Sequence, residues 1–221
     1  MVSLDLDQLK LIVFDWDGTL MDSVDRIVGC MQAASIDANI TAPSDDAVKD
    51  IIGLGLREAL QRLFPDCDSQ VHSELTEHYR RHFVYESSIA TKLFLGASEV
   101  LVSLQSDGYS LAVATGKARR GLEKVLDETK TRHYFAATRC ADETKSKPHP
   151  QMLYELMEVL QVQPHQTLMV GDTEFDLEMA AAAGVASVAV DYGAHEQSRL
   201  LRHSPLVCIS DISHLNQWLA R

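Results

Sequence analysis

The sequence lacks the cysteine and histidine patterns that indicate disulfide scaffolds or zinc sites. It has no Cys-x-x-Cys pair, and its nine histidines form no His-Glu-x-x-His motif. The cysteines are widely spaced, at Cys30, Cys67, Cys140 and Cys208. Scattered cysteines in a chain of this size are typical of reduced core side chains, so we expect no disulfide framework.

Basic runs and long apolar runs are also missing. No apolar stretch approaches the roughly 18 residues needed to span a bilayer. Lys and Arg total 20 against 32 Asp and Glu, and the net charge of −12 disfavours nucleic acid and anionic lipid as partners. The first residues include acids, Asp5 and Asp7, where a secretory signal has bases. We therefore expect a soluble cytoplasmic protein, whose site must supply positive charge if its substrate is an anion.

The chain of 221 residues has an ordinary globular composition, 46% apolar and 24% charged. Short apolar runs typical of buried parallel strands alternate with helical patterns. The predicted strands are Leu9–Phe14, Ser110–Ala114, Thr167–Val170, Ala186–Val190 and, more weakly, Leu206–Ile209. The predicted helices between them are Ala97–Ser106, Arg119–Glu128, Pro150–Leu160 and Glu174–Ala183. This alternation predicts an α/β fold with a doubly wound parallel sheet.

The interval from residue 21 to residue 88 has a different pattern. It contains no convincing strand, and Pro43, Pro65 and a turn at Gly53 and Gly55 divide it. Helical patterns cover Val24–Ala34, Asp45–Ile52, Leu56–Phe64 and Gln70–Tyr85. We expect a helical domain inserted at residues 21–88, and a Rossmann-like core built from residues 1–20 and 89–221.

Acidic side chains follow two of the predicted strands. Asp15 and Asp17 come directly after the first strand, and Asp172 and Asp176 follow the third. Ligands of open α/β sheets bind beyond the carboxyl ends of the strands, where these acids would meet. A simple turn at Asp17 and helix capping by Asp172 and Asp176 are the structural alternatives. The functional interpretation is a nucleophile, a proton carrier and a magnesium site with carboxylate ligands.

Two further segments could bind an anion beside these acids. Thr115 and Gly116 follow the second strand, where a hydroxyl and backbone N–H groups can bind phosphate, although such a pair is also an ordinary connection. An anionic substrate could approach crowded carboxylates only with a divalent cation and at least one fixed cation. Lys147 is the first candidate for the fixed cation and Lys145 the second, against the alternative of solvated loop lysines.

These motifs together resemble those of a known family. Phe14–Ser23 has the sequence FDWDGTLMDS, Thr115-Gly116 follows, Lys147–Pro150 is KPHP, and Gly171–Asp176 is GDTEFD. In this order, and over essentially the whole chain, they are similar to the motifs of the haloacid dehalogenase-like hydrolase superfamily. The chain looks most similar to the branch with a helical cap, which includes phosphoglycolate phosphatases and β-phosphoglucomutases.

The resemblance implies a role for each motif residue. Asp15 would be the nucleophile that forms an aspartyl-phosphate, and Asp17 would protonate the leaving alcohol and then activate water. The phosphoryl group would be bound by Thr115, Gly116 and Lys147. The cofactor would be Mg²⁺, held by Asp15, Asp17 through its backbone carbonyl, Asp172 and Asp176.

The implied function is a Mg²⁺-dependent phosphatase that acts on a small phosphorylated metabolite, similar to phosphoglycolate phosphatases. A phosphomutase of the β-phosphoglucomutase type and a non-catalytic binding or regulatory protein on the same fold are the alternatives. The cap would cover the leaving group, with Arg57 as the candidate substrate contact. We expect a monomer or a weak homodimer.

Two residues near the motifs are interpreted structurally. Trp16 stands between the first two acids, where the family more often has a smaller apolar residue, and we expect it to pack into the fold. His195 follows the fourth predicted strand, and we expect it in a surface loop at the rim of the site.

Overall fold

The structure is a computed structural model that describes residues 4–220. Within them, the strands are β1 (Leu11–Phe14), β2 (Met21–Asp22), β3 (Lys92–Leu93), β4 (Ser110–Thr115), β5 (Phe135–Cys140), β6 (Thr167–Gly171), β7 (Ala186–Val190) and β8 (Val207–Ile209). The α-helices are α1 (Val24–Asp37), α2 (Asp45–Lys49), α3 (Leu56–Leu63), α4 (Ser69–Arg81), α5 (Ala97–Ser106), α6 (Arg119–Glu128), α7 (Gln151–Leu160), α8 (Glu174–Ala183), α9 (Gln197–Leu200) and α10 (His214–Leu219). A π-helical turn at His82–Glu86 continues α4.

The main sheet is parallel and has the strand order β5-β4-β1-β6-β7-β8. From β1 the chain passes to β4 and β5 on one side, and then crosses to β6, β7 and β8 on the other. The predicted doubly wound α/β fold is therefore confirmed. The change of direction falls beside β1, and ligands of such sheets bind at this switch point.

Strand β1 is buried on both faces, as its apolar run predicts. Ile12 and Phe14 pack with side chains of α5, α6 and α10, while Leu11 and Val13 pack with α7 and α8 on the opposite face. All four side chains have no exposed surface. Because successive side chains of a strand alternate between faces, this packing fixes both the register of β1 and the point where it ends.

The sequence patterns missed one strand of the main sheet and a short second sheet. Among the strands of residues 4–220, β5 pairs only with β4, at the sheet edge, and of its residues Cys140 alone is buried. An edge strand with little full burial carries no continuous apolar run, so its sequence has no strand signal. The antiparallel pair of β2 and β3 contradicts the expectation of no strand between residues 21 and 88, because two-residue strands have no detectable period.

Helices α1 to α4 surround an apolar cluster of their own, which includes Ile27, Leu60 and Leu75. We call these helices and the following π-helical turn the helical insertion. Their bounds agree with the predicted helical patterns to within a few residues, except that regular α4 ends before the π-helical turn. The domain division at residues 20/21 and 88/89 stays a prediction.

No helix in residues 4–220 is long and apolar enough to cross a membrane.

Candidate active site

Three strands bring the motif residues to one edge of the sheet. Phe14, the last residue of β1, pairs with Val113 of β4 and Val170 of β6. Because the three strands are parallel and in register, the residues that follow them lie together. The backbone N–H of Asp15 donates to the carbonyl of Val170 at 3.0 Å, which fixes Asp15 at the switch point.

Lys147 lies between two of the acids. Its Nζ is 2.7 Å from Asp15 Oδ1 and 2.6 Å from Asp176 Oδ1, and the three side chains are at most 1% exposed. Burial alone would lower the pKa of Lys147, but the negative charges of Asp15 and Asp176 outweigh burial and raise it. The ammonium therefore stays charged inside the fold. Lys145, the second candidate, is exposed and away from these acids.

The Asp15 carboxylate has one oxygen available for chemistry. Burial raises the pKa of Asp15 well above its usual range, Lys147 opposes the rise, and Asp176 and Asp172 add to it. Among the described residues, none donates a hydrogen bond to the buried Asp15 Oδ2. A buried oxygen without a donor is costly unless a ligand or an ion completes its environment.

Asp172 and Asp176 are held firmly by neighbouring donors. Asp172 accepts hydrogen bonds from Thr19 Oγ1 and from the backbone N–H of Ala194, both at 2.8 Å. Asp176 Oδ2 accepts from the N–H and the hydroxyl of Thr173, at 3.1 and 2.8 Å. Asp176 thus caps α8 with one oxygen, as the structural alternative predicts, while its other oxygen faces Lys147.

The buried acids fit a divalent cation in both donor type and charge. One oxygen from each of Asp15, Asp172 and Asp176 lies within 4.8 Å of the others. Three carboxylates and the Lys147 ammonium sum to a net charge of −2 when all are ionised. Burial, with repulsion from Asp176 next, raises the pKa of Asp172 to about 7, as expected for excess negative charge. Buried carboxylate oxygens with an unbalanced double charge fit Mg²⁺ well.

The Asp17 side chain is not part of this acidic group. Lys117 Nζ lies 3.0 Å from its Oδ1 and 2.9 Å from its Oδ2, and the Ser23 hydroxyl donates to Oδ1 at 2.7 Å. The turn at Asp17 also requires a glycine at position 18. Gly18 has φ +85°, and a Cβ there would lie 2.1 Å from Asp172 Oδ2. The turn expected from the structural alternative is therefore present, and it places the residue after Asp17 directly against Asp172.

A loop of the helical insertion lies directly on the second motif. Thr115 is buried at the end of β4, and a Cβ on Gly116 would be 2.4 Å from the Leu54 carbonyl oxygen. Only glycine allows this close approach. The backbone N–H of Gly55 donates to Ser146 Oγ at 2.7 Å, next to Lys147. The loop therefore covers the phosphate-binding candidates from the insertion side.

Arg57 is not brought to the acids. It is the second residue of α3, just beyond the covering loop, and its side chain is exposed. Its contact with a substrate stays a prediction.

Sequence reasoning missed two side chains that hold Asp17. Lys117 directly follows Thr115 and Gly116, and Ser23 is the last residue of the first motif. Both therefore lie beside or within motifs that the sequence analysis had identified as candidate site segments. Neither the spacing nor the residue type indicates a contact with Asp17. That contact depends on how the loop after β4 folds back over the first motif.

The two structural interpretations have different outcomes. Trp16 is fully buried and packs edge-to-face on Phe135 at 6.1 Å between ring centroids, as expected. The expectation of a surface His195 is wrong, since its residue is 3% exposed. Its Nδ1 accepts from the Glu174 N–H at 3.1 Å, so it caps the start of α8, and burial lowers its pKa. A histidine that caps a helix across 21 residues leaves no local sequence signal.

Comparisons with known proteins agree with this geometry. The sequence model of one family, described as haloacid dehalogenase-like hydrolase, matches residues 12–190. The chain is 32% identical to a protein named probable phosphatase IndB from Dickeya dadantii, over 93% of this chain and 91% of the relative. It is 30% identical to a phosphoglycolate phosphatase from Haemophilus influenzae, over 94% and 97%.

One further relative and one solved structure extend the comparison. An N-acetylmuramic acid 6-phosphate phosphatase from Pseudomonas putida is 29% identical, over 84% of each chain. A crystal structure described as a predicted phosphoglycolate phosphatase from Haemophilus somnus 129pt superposes with a TM-score of 0.87 and 26% identity, covering 96% of this chain and 98% of that chain.

Proposed function

The chain belongs to the haloacid dehalogenase-like hydrolase family and is a phosphatase, a hydrolase of phosphate esters, and from this premise we propose that it cleaves a small phosphate monoester through an aspartyl-phosphate on Asp15. The observation that carries the proposal is the buried Asp15 carboxylate, with one oxygen held near Lys147 and the other without a donor among residues 4–220. Lys147 orients this carboxylate and favours its ionised form, which is the form that attacks phosphorus.

The first half of the reaction forms the phosphoenzyme. An Asp15 oxygen bonds to phosphorus while the bond from phosphorus to the ester oxygen breaks, and Asp17 gives its proton to that ester oxygen. Thr115, Gly116 and Lys147 bind the phosphoryl group during the transfer. Lys147 stands at the nucleophile, so it offsets the repulsion between Asp15 and the incoming phosphate.

The second half releases phosphate. Asp17, now a carboxylate, takes a proton from water, the water oxygen bonds to phosphorus, and the bond from phosphorus to Asp15 breaks. Asp17 ends with the proton that the next cycle requires. One acid therefore serves as donor and then as acceptor, which is ordinary for general acid–base catalysis.

The proposed cofactor is Mg²⁺, held by Asp15, Asp172 and Asp176 and by the backbone carbonyl of Asp17. When bound, Mg²⁺ would supply positive charge to the phosphate oxygens and balance the double negative charge of the acidic group. This assignment is supported by the fit of the buried carboxylates to an oxygen-ligated divalent cation.

The proposed substrate is a small phosphorylated metabolite, with phosphoglycolate as the first to be tried. Relatives of nearly equal similarity have different substrates in their names, phosphoglycolate in one and N-acetylmuramic acid 6-phosphate in another. Overall similarity therefore does not select the ester. We propose that residues 21–88 act as a cap over the leaving group, with Arg57 as a contact, and that the enzyme works in the cytoplasm as a monomer or weak homodimer.

Hydrolysis of p-nitrophenyl phosphate tests the chemistry. Wild type with Mg²⁺ should turn over, and chelator should stop it. Asp15→Asn should lose about four orders of magnitude or more, as expected when a nucleophile is removed. Asp107→Asn, an exposed acid with no side-chain hydrogen bond among the described residues, is the matched control and should keep full activity.

Trapping the intermediate separates this mechanism from others. Acid-quenched wild type should carry phosphate on Asp15, detected by mass spectrometry, and the Asp15→Asn variant should not. Turnover that survives Asp15→Asn would contradict the proposal. Transfer to an added sugar phosphate in preference to water would favour the phosphomutase.

A further inference from the structure

Lys117 and Asp17 form an ion pair inside the site. Both oxygens of the Asp17 carboxylate lie within 3.0 Å of the Lys117 ammonium, and the two side chains are 8% and 12% exposed. Ser23, directly before α1, donates a further hydrogen bond to Asp17 Oδ1. Asp17 is therefore held in one orientation from two sides.

The two lysines of the site divide the acids between them. Lys147 contacts Asp15 and Asp176, whereas Lys117 contacts Asp17. Lys147, which contacts the nucleophile, has a role in the proposed mechanism. Lys117, which contacts the acid Asp17, has no role in it. Among residues 4–220, Lys117 forms an ion pair with Asp17 and none with the nucleophile Asp15, so we expect its effect on the reaction to pass through Asp17.

The helical insertion covers the other side of this ammonium. Lys117 Nζ lies 4.7 Å from the centre of the Phe83 ring, which belongs to the π-helical turn after α4. The Phe83 ring stacks on Tyr79 at 5.7 Å, and burial followed by the charge of Asp17 raises the pKa of Tyr79. A cation on an aromatic face is stabilised and has less contact with water. Phe83 thus confines the ammonium to its contact with Asp17.

We propose that Lys117 is a positioning residue that fixes the Asp17 carboxyl toward the leaving group, with Phe83 of the helical insertion holding the ammonium in place. The inference rests on the proposed function, since it takes Asp17 as the acid. When one Asp17 oxygen carries the proton, Lys117 keeps hold of the other oxygen. The protonated oxygen leaves its contact with Lys117, and its proton then passes to the ester oxygen as the bond from phosphorus to that ester oxygen breaks. Lys117 itself neither gains nor loses a proton.

This role predicts a loss that depends on the leaving group. A p-nitrophenolate leaves as a stabilised anion and needs little protonation, whereas unsubstituted phenolate needs more. With Lys117→Met, kcat/KM should fall by about 10–100-fold for phenyl phosphate and by less than about 3-fold for p-nitrophenyl phosphate, since general acid catalysis contributes about 10²–10⁴-fold. The ratio kcat/KM depends only on the steps up to and including the first irreversible one, which here is formation of the phosphoenzyme. Slow hydrolysis of the phosphoenzyme therefore does not mask the effect.

Three variants make the comparison specific. Lys117→Arg keeps the cation and should recover part of the loss on phenyl phosphate. Phe83→Leu leaves Lys117 and Asp17 intact and should show a weaker form of the same selective loss. Lys124→Met removes a half-exposed lysine of α6, whose ion-pair partner is Glu128 at 3.8 Å, and should match wild type on both esters. Thermal unfolding of each variant shows that it is folded.

The outcomes of the leaving-group series are distinct. A larger loss with the poorer leaving group supports the proposal. Equal losses on both esters mean that Lys117 contributes only charge or packing, and unchanged kinetics mean that it contributes nothing, so either result overturns it. If wild type shows no Asp15-dependent turnover, the proposed function itself fails, and that failure is visible before any Lys117 variant is measured.

Discussion

The buried Lys147 ammonium depends on the two carboxylates that face it. Removing a lysine from water disfavours its charged form, yet the pKa of Lys147 is raised because Asp15 and Asp176 outweigh burial. The same arrangement keeps two carboxylates inside the protein at no more than 1% exposure. The three side chains therefore form one electrostatic unit, in which each needs the others.

Substituting Lys147 should break this unit. Lys147→Met leaves Asp15 and Asp176 buried without their cation, and we expect a loss of about 3–5 kcal/mol in the free energy of unfolding. Urea unfolding in the presence of chelator measures it. Lys145→Met, two residues away and exposed, is the matched control and should stay within about 0.5 kcal/mol of wild type. Equal stability of the two variants would refute the interpretation.

Trp16 illustrates how a single residue supports the site without taking part in it. Its side chain is fully buried between the two catalytic candidates Asp15 and Asp17, and it packs on Phe135 of the edge strand β5. Because neighbouring residues point in different directions, the packing of Trp16 limits how Asp15 and Asp17 can be oriented. The departure from the family pattern is thus accommodated by the core.

At the scale of secondary-structure elements, the helical insertion and the sheet are joined by charged contacts. Arg199 of α9 donates to Glu174 at the start of α8 at 2.8 Å, and to Asp50 at the end of α2 at 2.5 Å. The hydrogen bond from Arg199 is the main reason that the pKa of Glu174 is lowered to about 2. Arg199 therefore connects the insertion to the helix that carries Asp176.

Loss of this connection should weaken closure over the site. For Arg199→Met we expect kcat/KM to fall by about fivefold, since a partly exposed ion pair contributes about 1 kcal/mol. Thermal stability should change little, because the Arg199 side chain is 26% exposed and makes a partly exposed ion pair. Arg202→Met is the control, an exposed arginine of the same segment. A fall in kcat/KM no greater than that of the control would show that the contact does not affect closure.

At the scale of the whole molecule, an acidic protein with a net charge of −12 concentrates part of that charge inside. The group of Asp15, Asp172 and Asp176 lies at the switch point of the sheet, where the chain crosses from one side to the other. Its uncompensated charge acts against folding. We therefore expect the stability of the entire chain to respond to pH and to divalent cations.

The direction of the pH response follows from Asp172. Burial, then repulsion from Asp176, raises its pKa from 3.8 to about 7. The folded chain thus binds this proton more tightly than the unfolded chain. In chelator, the stabilisation is complete below 3.8 and is lost as the pH rises through about 7. Melting temperatures measured on both sides of this value should fall toward the alkaline side.

Magnesium should reverse the alkaline loss. A cation that takes the place of the proton raises the melting temperature more above pH 7 than below it. Asp172→Asn should weaken both the pH dependence and the response to Mg²⁺, because Asp15, whose pKa burial also raises, remains, whereas Asp107→Asn should behave as wild type. An equal Mg²⁺ effect at all pH values, or a full effect in Asp172→Asn, would count against a metal site at this group.

Local patterns were sufficient for the fold class and for most of the acidic site. Strands buried on both faces need continuous apolar side chains, so β1, β4, β6 and β7 are visible in the sequence. Acids that directly follow parallel strands meet at one edge, so the meeting of Asp15 with Asp172 followed from the order of elements. The covering loop at Gly53 and Gly55 was recognised as a turn, but not its position on Gly116.

Only the tertiary structure decided the contacts between distant segments. It selected Lys147 over Lys145, buried His195, left Arg57 exposed and joined Lys117 to Asp17 across 100 residues. It also added edge strand β5, whose burial is too slight to leave a pattern. The physical reason is the distance along the chain over which each property is determined. Periodicity and motif spacing are properties of short segments, whereas the partner of a charge depends on which segments pack together and on how much water they exclude.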